Sequence, residues 1–251
     1  MVIYDLHCHS TYSDGRASVE YLIQKAAEKG YKTGIADHLF CCGNDTLADI
    51  ERYLNGVCGM GIPVGGESNI GEEFNMPDSM LNRFDYLVAS IHKLFPKGEE
   101  TLVFNRYFAI RSDFDEVYEG YDKTRAEEYL NLAYRQMESH FSRYRAEILG
   151  HCGVMPVYDD IPYWSSTIRD WERAVVALCK KYNVAMEISG MFCQPYERML
   201  RLAKKEGLKF SFASDCHMLE HVGKLGYCYE MIDALNLQEG DLYVPDCEKR
   251  A

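Results

Sequence analysis

Asp5-Leu6-His7-Cys8-His9-Ser10-Thr11-Tyr12-Ser13-Asp14-Gly15 follows the apolar run Val2-Ile3-Tyr4. The pair reads as a short buried strand that ends where polar side chains take over. Successive side chains on a strand point to opposite faces, so His7 and His9 share one face and could chelate a single ion. Asp14 lies just beyond them, in a turn closed by Gly15.

The same pattern recurs outward from this stretch. Ser18 is placed to cap a helix whose apolar residues Val19, Leu22, Ile23 and Ala26 fall at helical spacing, with Gly30 as its stop. Thr33-Gly34-Ile35-Ala36 reads as a second strand running into Asp37-His38, and Asp45 as the cap of a helix through Leu47, Ile50 and Leu54. Ile62 to Gly66 reads as a third strand ending at Glu67, and Phe84 to Ile91 as a fourth ending at His92. Phe95 to Tyr121 is irregular by pattern, as a lid or substrate loop would be.

A helix over Asp122 to His140 leads to a fifth strand, Ala146 to Gly150, ending at His151. After a loop over Val154 to Trp164, Ser165 or Ser166 caps a helix carrying Trp171, Val175 and Leu178. Val184 to Ile188 is a sixth strand and Tyr196 to Lys205 a helix stopped by Gly207. Leu208 to Ala213 is a seventh strand, ending at Ser214-Asp215-Cys216-His217, and a last helix around Tyr229 to Leu235 precedes an acidic tail. Strands alternate with helices throughout, without a linker, repeat or break in composition. That predicts one α/β domain over residues 1–251 with a parallel sheet.

Composition narrows the function. Lys and Arg total 27 against 39 Asp and Glu, so the formal charge is 27 − 39 = −12. Such a surface repels long nucleic acid and anionic membrane, which need clustered cations. No run reaches the roughly 18 apolar residues of a membrane helix. The N-terminus enters a strand without a signal-peptide pattern, so a cytoplasmic location is expected. The ten cysteines are then expected as thiols. Cys8, Cys152 and Cys216 alternate away from their histidine neighbours and are expected to pack behind the polar face. The adjacent Cys41-Cys42 suits neither a zinc knuckle nor an easy disulfide.

Polar residues collect at strand ends. His7/His9, His38, Glu67, His92, His151 and Asp215/His217 close six of the seven predicted strands, and only His140 and His221 among eight histidines fall elsewhere. In a parallel barrel those ends converge on one face, where sites are built. Imidazole and carboxylate together suit zinc, manganese or iron.

Taken in order, Asp-Leu-His-Cys-His-Ser-x-Tyr-Ser-Asp-Gly, Ala36-Asp37-His38, Gly66-Glu67, Ser90-Ile91-His92, Gly150-His151 and Ser214-Asp215-Cys216-His217 resemble the polymerase-and-histidinol-phosphatase (PHP) family, from Asp5 to about Val222. The resemblance implies a distorted (β/α)7, TIM-like barrel with two or three divalent ions that hydrolyses phosphate esters. It implies one ion on His7, His9, Glu67 and Asp215, a second on Glu67, His92 and His151, and a third on Asp14, His38 and His217. Glu67 and Asp215 would carry the catalysis, with a metal-bridging hydroxide as nucleophile. Two departures stand out. An Asp occupies position 14, where many histidinol phosphatases of the family have a histidine, and no acidic residue follows closely after Gly150-His151.

The expected activity is hydrolysis of a small-molecule phosphomonoester, with histidinol phosphate, a histidine-biosynthesis intermediate, as the first substrate to test. A nucleotide phosphoesterase or nuclease and a non-catalytic metal-stabilised module are the alternatives. Asp37 is a candidate to orient His38, with a buried strand-end hydrogen bond as the alternative, and Lys93 and Arg169 are candidate phosphate contacts.

Overall fold

The computed structural model describes residues 1–103 and 121–245. Most of the segment expected to form a lid, and the end of the acidic tail, lie outside the described residues. Among the described residues, no helix is long and apolar enough to cross a membrane.

Seven parallel strands form the frame: β1 (Tyr4–Asp5), β2 (Lys32–Thr33), β3 (Gly65–Asn69), β4 (Tyr86–Ser90), β7 (Ile148–Leu149), β8 (Ala185–Ser189) and β9 (Phe210–Ala213). Their lateral order is β2-β1-β9-β8-β7-β4-β3. The two ends of this order are joined by parallel bridges from Ile35 to Val64 and from His38 to Glu67. Gly65 N donates to Ile35 O at 2.6 Å, Glu67 N to Asp37 O at 2.9 Å and Leu39 N to Glu67 O at 2.9 Å. The strands are short and the fold is a distorted (β/α)7 barrel.

The most distant pairing in the chain joins β1 to β9. Leu6 N donates to Phe212 O at 2.9 Å, and further up Asp215 N donates to His7 O at 2.8 Å. A separate antiparallel ribbon pairs β5 (Lys93–Leu94) with β6 (Leu102–Val103).

The helices form for local reasons. In α1 (Val19–Lys29) the Ser18 side chain accepts from Tyr21 N, and Gly30 ends the helix at φ 79°, a left-handed conformation that costs glycine little. The cap of α2 (Leu47–Val57) is Thr46 rather than the expected Asp45: Thr46 and Asp49 form a reciprocal capping box. After the single-turn α3 (Asp78–Leu81), α4 (Ala126–Arg143) buries Tyr129, Leu130, Ala133 and Met137. The loop expected after His151 contains a short helix, α5 (Val157–Asp160). Ser165 caps α6 (Ser166–Tyr182), and α7 (Glu197–Lys205) and α8 (Gly226–Leu235) complete the outer layer.

Every residue of β4 and β8 is buried, as expected for strands covered on both faces. Leu6, Ala36, Tyr86, Val88, Ile148 and Ala185 fill the barrel interior. Tyr86 spans it, and its hydroxyl donates to Ile35 O at 3.2 Å. The ring needs glycine opposite, because a Cβ at Gly65 would lie 2.4 Å from it.

Candidate metal centre

Above this apolar plug the strand ends bring all nine residues singled out in the sequence to one place. Glu67 is the hub. Its Oε1 lies 3.3 Å from His7 Nε2, 3.4 Å from His92 Nε2 and 3.2 Å from His151 Nε2. Its Oε2 lies 3.6 Å from His9 Nε2 and 2.9 Å from His38 Nδ1. Five imidazoles therefore face one buried carboxylate. The third strand was expected to end at Glu67; it continues to Asn69, which places Glu67 inside the ladder and fixes its backbone on both sides.

The remaining members extend the cluster to one side. Asp215 Oδ1 is 3.2 Å from His9 Nε2 and 4.0 Å from His7 Nε2. Asp14 Oδ1 is 3.3 Å from His217 Nε2, 3.8 Å from His38 Nε2 and 3.9 Å from His9 Nδ1. His9 thus stands between two groups, one with His7 and Asp215, the other with Asp14, His38 and His217. Asp14 is the one member that is not buried, at 29% side-chain exposure. His151 (φ 24°) and Asp215 (φ 47°) hold left-handed backbone conformations, which cost of order 1–3 kcal/mol each and are tolerated where the surroundings enforce them. Gly15 closes the opening turn against the ligand strand, where a Cβ would stand 2.2 Å from His9 O.

The sequence did not single out Glu187, the contribution of the sixth strand. Ala185 lines the barrel interior while Met186 and Ile188 pack outward, so the strand period turns Glu187 inward. Its Oε2 accepts from His7 Nδ1 at 2.7 Å and its Oε1 accepts from His151 N at 3.0 Å. The signal was a carboxylate inside an otherwise apolar strand. Asn69 does the same for His92: its Oδ1 accepts from His92 Nδ1 at 2.7 Å while its Nδ2 donates to Glu72 at 2.9 Å. Both histidines then carry their proton on Nδ1 and present the Nε2 lone pair to the cluster.

Of the two readings of Asp37, the structure shows the buried hydrogen-bonded one. Its carboxylate accepts from Ser10 N at 2.7 Å, Ser10 Oγ at 2.5 Å and Ser13 Oγ at 2.5 Å, and so ties the opening loop to the second strand. Lys93 pairs with Glu72 at 3.2 Å on the surface, and Arg169 is exposed on α6. Cys8 and Cys216 pack in the apolar core with Val19 and Leu22, and Cys152 in a second core cluster.

Charge is distributed unevenly within the cluster. Burial alone would depress every imidazole, and it does so at His9, helped by His217 and His38, and at His92, which falls to about 3. At His7 burial is outweighed by Glu67, Glu187 and Asp215, and the net shift is upward. His38 and His151 also shift up, against burial, under the influence of Glu67. Burial raises Glu67 and Asp215, but the surrounding imidazoles win and hold both well below the usual carboxylate range.

The donor atoms fit divalent cations. Nε2 of His7, both ring nitrogens of His9, Nε2 of His38 and Oδ1 of Asp14 are buried and make no hydrogen bond. Five such atoms would each cost about 1–3 kcal/mol without a partner. Ligands held about 2.0–2.2 Å from a tetrahedral ion stand roughly 3.3–3.6 Å apart. Six donor pairs, at 3.2–3.6 Å, match that spacing, and His38 Nδ1 and Glu67 Oε2 stand closer, at 2.9 Å.

The fold has a solved counterpart. A histidinol phosphate phosphatase (HisK) from Lactococcus lactis subsp. lactis Il1403, complexed with zinc, L-histidinol and phosphate, superposes with a TM-score of 0.62 over 94% of each chain at 16% identity. No curated protein sequence matches the chain. The PHP domain profile matches residues 5–190, which take in the strands that carry His7, His9, Asp14, His38, Glu67, His92 and His151. The chain therefore belongs to the PHP domain family.

Proposed function

We infer that the protein is a metal-dependent phosphoesterase that hydrolyses a small phosphomonoester. One observation carries this reading: five imidazoles converge on Glu67, and two further carboxylates, Asp14 and Asp215, stand beside them. His7, His9, Glu67 and Asp215 would hold one divalent ion, and Glu67, His92 and His151 a second. Asp14, His38 and His217, with His9 adjacent, would hold a third. Zinc, manganese and iron all suit this donor set. Ions bound there would lower the pKa of a bound water towards 7 and neutralise phosphoryl oxygens.

The protein's own residues prepare that chemistry. Glu187 and Asn69 fix the tautomers of His7 and His92. Glu67 offers one oxygen to each side of the cluster and so can bridge two ions. With Glu187 the carboxylates of the cluster number four, and three divalent ions against them would leave −4 + 6 = +2. That local sign attracts a phosphate dianion despite the overall charge of −12.

Histidinol phosphate is the first substrate to test, because the structural neighbour binds zinc, L-histidinol and phosphate. The acidic surface disfavours long nucleic acid over a small ester. A cytoplasmic setting accords with the nine described cysteines, all unpaired. A panel of phosphomonoesters, diesters and oligonucleotides with added Mn2+ or Zn2+ is the deciding experiment. Monoester turnover is expected. Oligonucleotide cleavage without it would favour the nuclease alternative, and binding of less than one equivalent of metal per chain would end the site assignment.

A further inference from the structure

Beside the cluster, the loop after His38 brings a second donor set together. One imidazole nitrogen of His38 and the sulfurs of Cys41 and Cys42 all lie within 4.8 Å of one another. Adjacent cysteines ordinarily point apart, and the sequence alone argued against a chelate here. The backbone changes that: Phe40 (φ 62°), Cys42 (φ 56°) and Gly43 (φ 99°) are all left-handed, so the loop curls back over its own start. Asn44 holds the curl, donating from Nδ2 to His38 O at 3.0 Å and from N to Cys41 O at 3.1 Å. Asn69 Nδ2 approaches Cys41 Sγ at 3.4 Å and keeps that sulfur in place. His38 is 1% exposed, its Nδ1 stands 2.9 Å from Glu67 Oε2, and the Cys41 thiol lies within interaction range of the same ring.

We propose that His38, Cys41 and Cys42 form a separate site for a soft divalent cation of the zinc and cadmium class, at the rim of the phosphoesterase cluster. Two thiolates and an imidazole are the donor set such ions select over manganese or magnesium. Both sulfurs bind as thiolates, and any proton a thiol still carries passes to solvent as its sulfur takes the cation. Cys42 is exposed and provides the entry path. A neutral imidazole has a single lone pair. Occupation therefore withdraws His38 from Asp14 and His217, and the soft cation acts as an inhibitor of the activity inferred above. The site itself does not depend on that activity.

Titration of the purified protein with cadmium chloride tests this directly. Thiolate-to-cadmium charge-transfer absorption should grow to saturation at an intensity of two thiolates, and C41S/C42S should lose it together with one equivalent of bound cadmium. In the wild-type chain, cadmium should shield Cys41 and Cys42 from iodoacetamide, as read by peptide mass spectrometry. An absent band, a band unchanged in C41S/C42S, or equal alkylation with and without cadmium would each overturn the proposal. Mn2+-dependent monoester turnover in wild type should be inhibited at cadmium concentrations at least tenfold lower than in C41S/C42S. Equal sensitivity of the two proteins refutes the competition for His38. Turnover absent from both refutes the phosphoesterase reading, while absorption and alkylation still decide the site.

Discussion

Replacing Glu67 by Gln removes the charge around which five imidazoles are arranged but keeps its size. E67Q and D215N should each reduce metal-dependent monoester turnover by at least about 10³-fold, since each removes a carboxylate that would hold an ion central to the chemistry. Their circular dichroism should match the wild type; turnover retained in either variant would contradict the proposed role. Glu187 makes a subtler case, because it touches His7 and the backbone of His151 rather than the centre of the cluster. E187Q keeps an acceptor but loses the charge that fixes the His7 tautomer. Metal affinity should fall about 10–100-fold, read by competition with a chromophoric chelator. An unchanged affinity would make Glu187 a packing residue only.

At the scale of elements, α4 is fastened to the barrel by His140, whose Nε2 lies 3.3 Å from Ser68 Oγ on β3. Burial, with a smaller contribution from Arg143, pushes His140 down to about 4. The folded pKa lies below the unfolded value of about 6.5, so the native state resists protonation. This contribution is present above pH 6.5 and is lost as pH falls towards 4, amounting to about 3 kcal/mol. H140Q keeps a side chain able to bond Ser68 and does not titrate. Between pH 7 and 4 the wild-type melting temperature should therefore fall further than that of H140Q; parallel profiles would show that His140 does not titrate in this range.

The alternation of strands and helices was legible because each element carries its own period and caps: Ser18, Gly30 and Ser165 act as read. The extent of β2 and β7, two residues each, was not, because pairing partners far along the chain set it. Likewise eight of the nine converging residues were visible as strand ends, and Asp14 in the turn just beyond the first, whereas Glu187 lay hidden in mid-strand. The role of Asp37 stayed open between two readings because its partners, Ser10 and Ser13, come from a loop folded back against it. Residues whose role is set by the local strand end can be found in sequence; those set by a contact across the barrel cannot.

For the molecule as a whole, any ion held only by the native cluster adds to stability by mass action. At free metal about 100-fold above the dissociation constant the gain is about 2.7 kcal/mol per ion. In a chain of 251 residues that corresponds to a shift of roughly 5–10 °C. Chelation should lower the melting temperature by this amount, and added Mn2+ or Zn2+ should restore it. A melting curve indifferent to both would show that no ion is linked to folding.

The pairing of β1 with β9 has a further consequence for how the protein is made. His7 and His9 leave the ribosome about 210 residues before Asp215 and His217, their neighbours in the cluster. Until Phe212 can pair with Leu6, the first strand is held from the β2 side alone. A nascent chain stalled before residue 210 thus lacks Asp215 and His217, the two residues that complete the cluster, and any ion binding there would follow the synthesis of β9 rather than guide it.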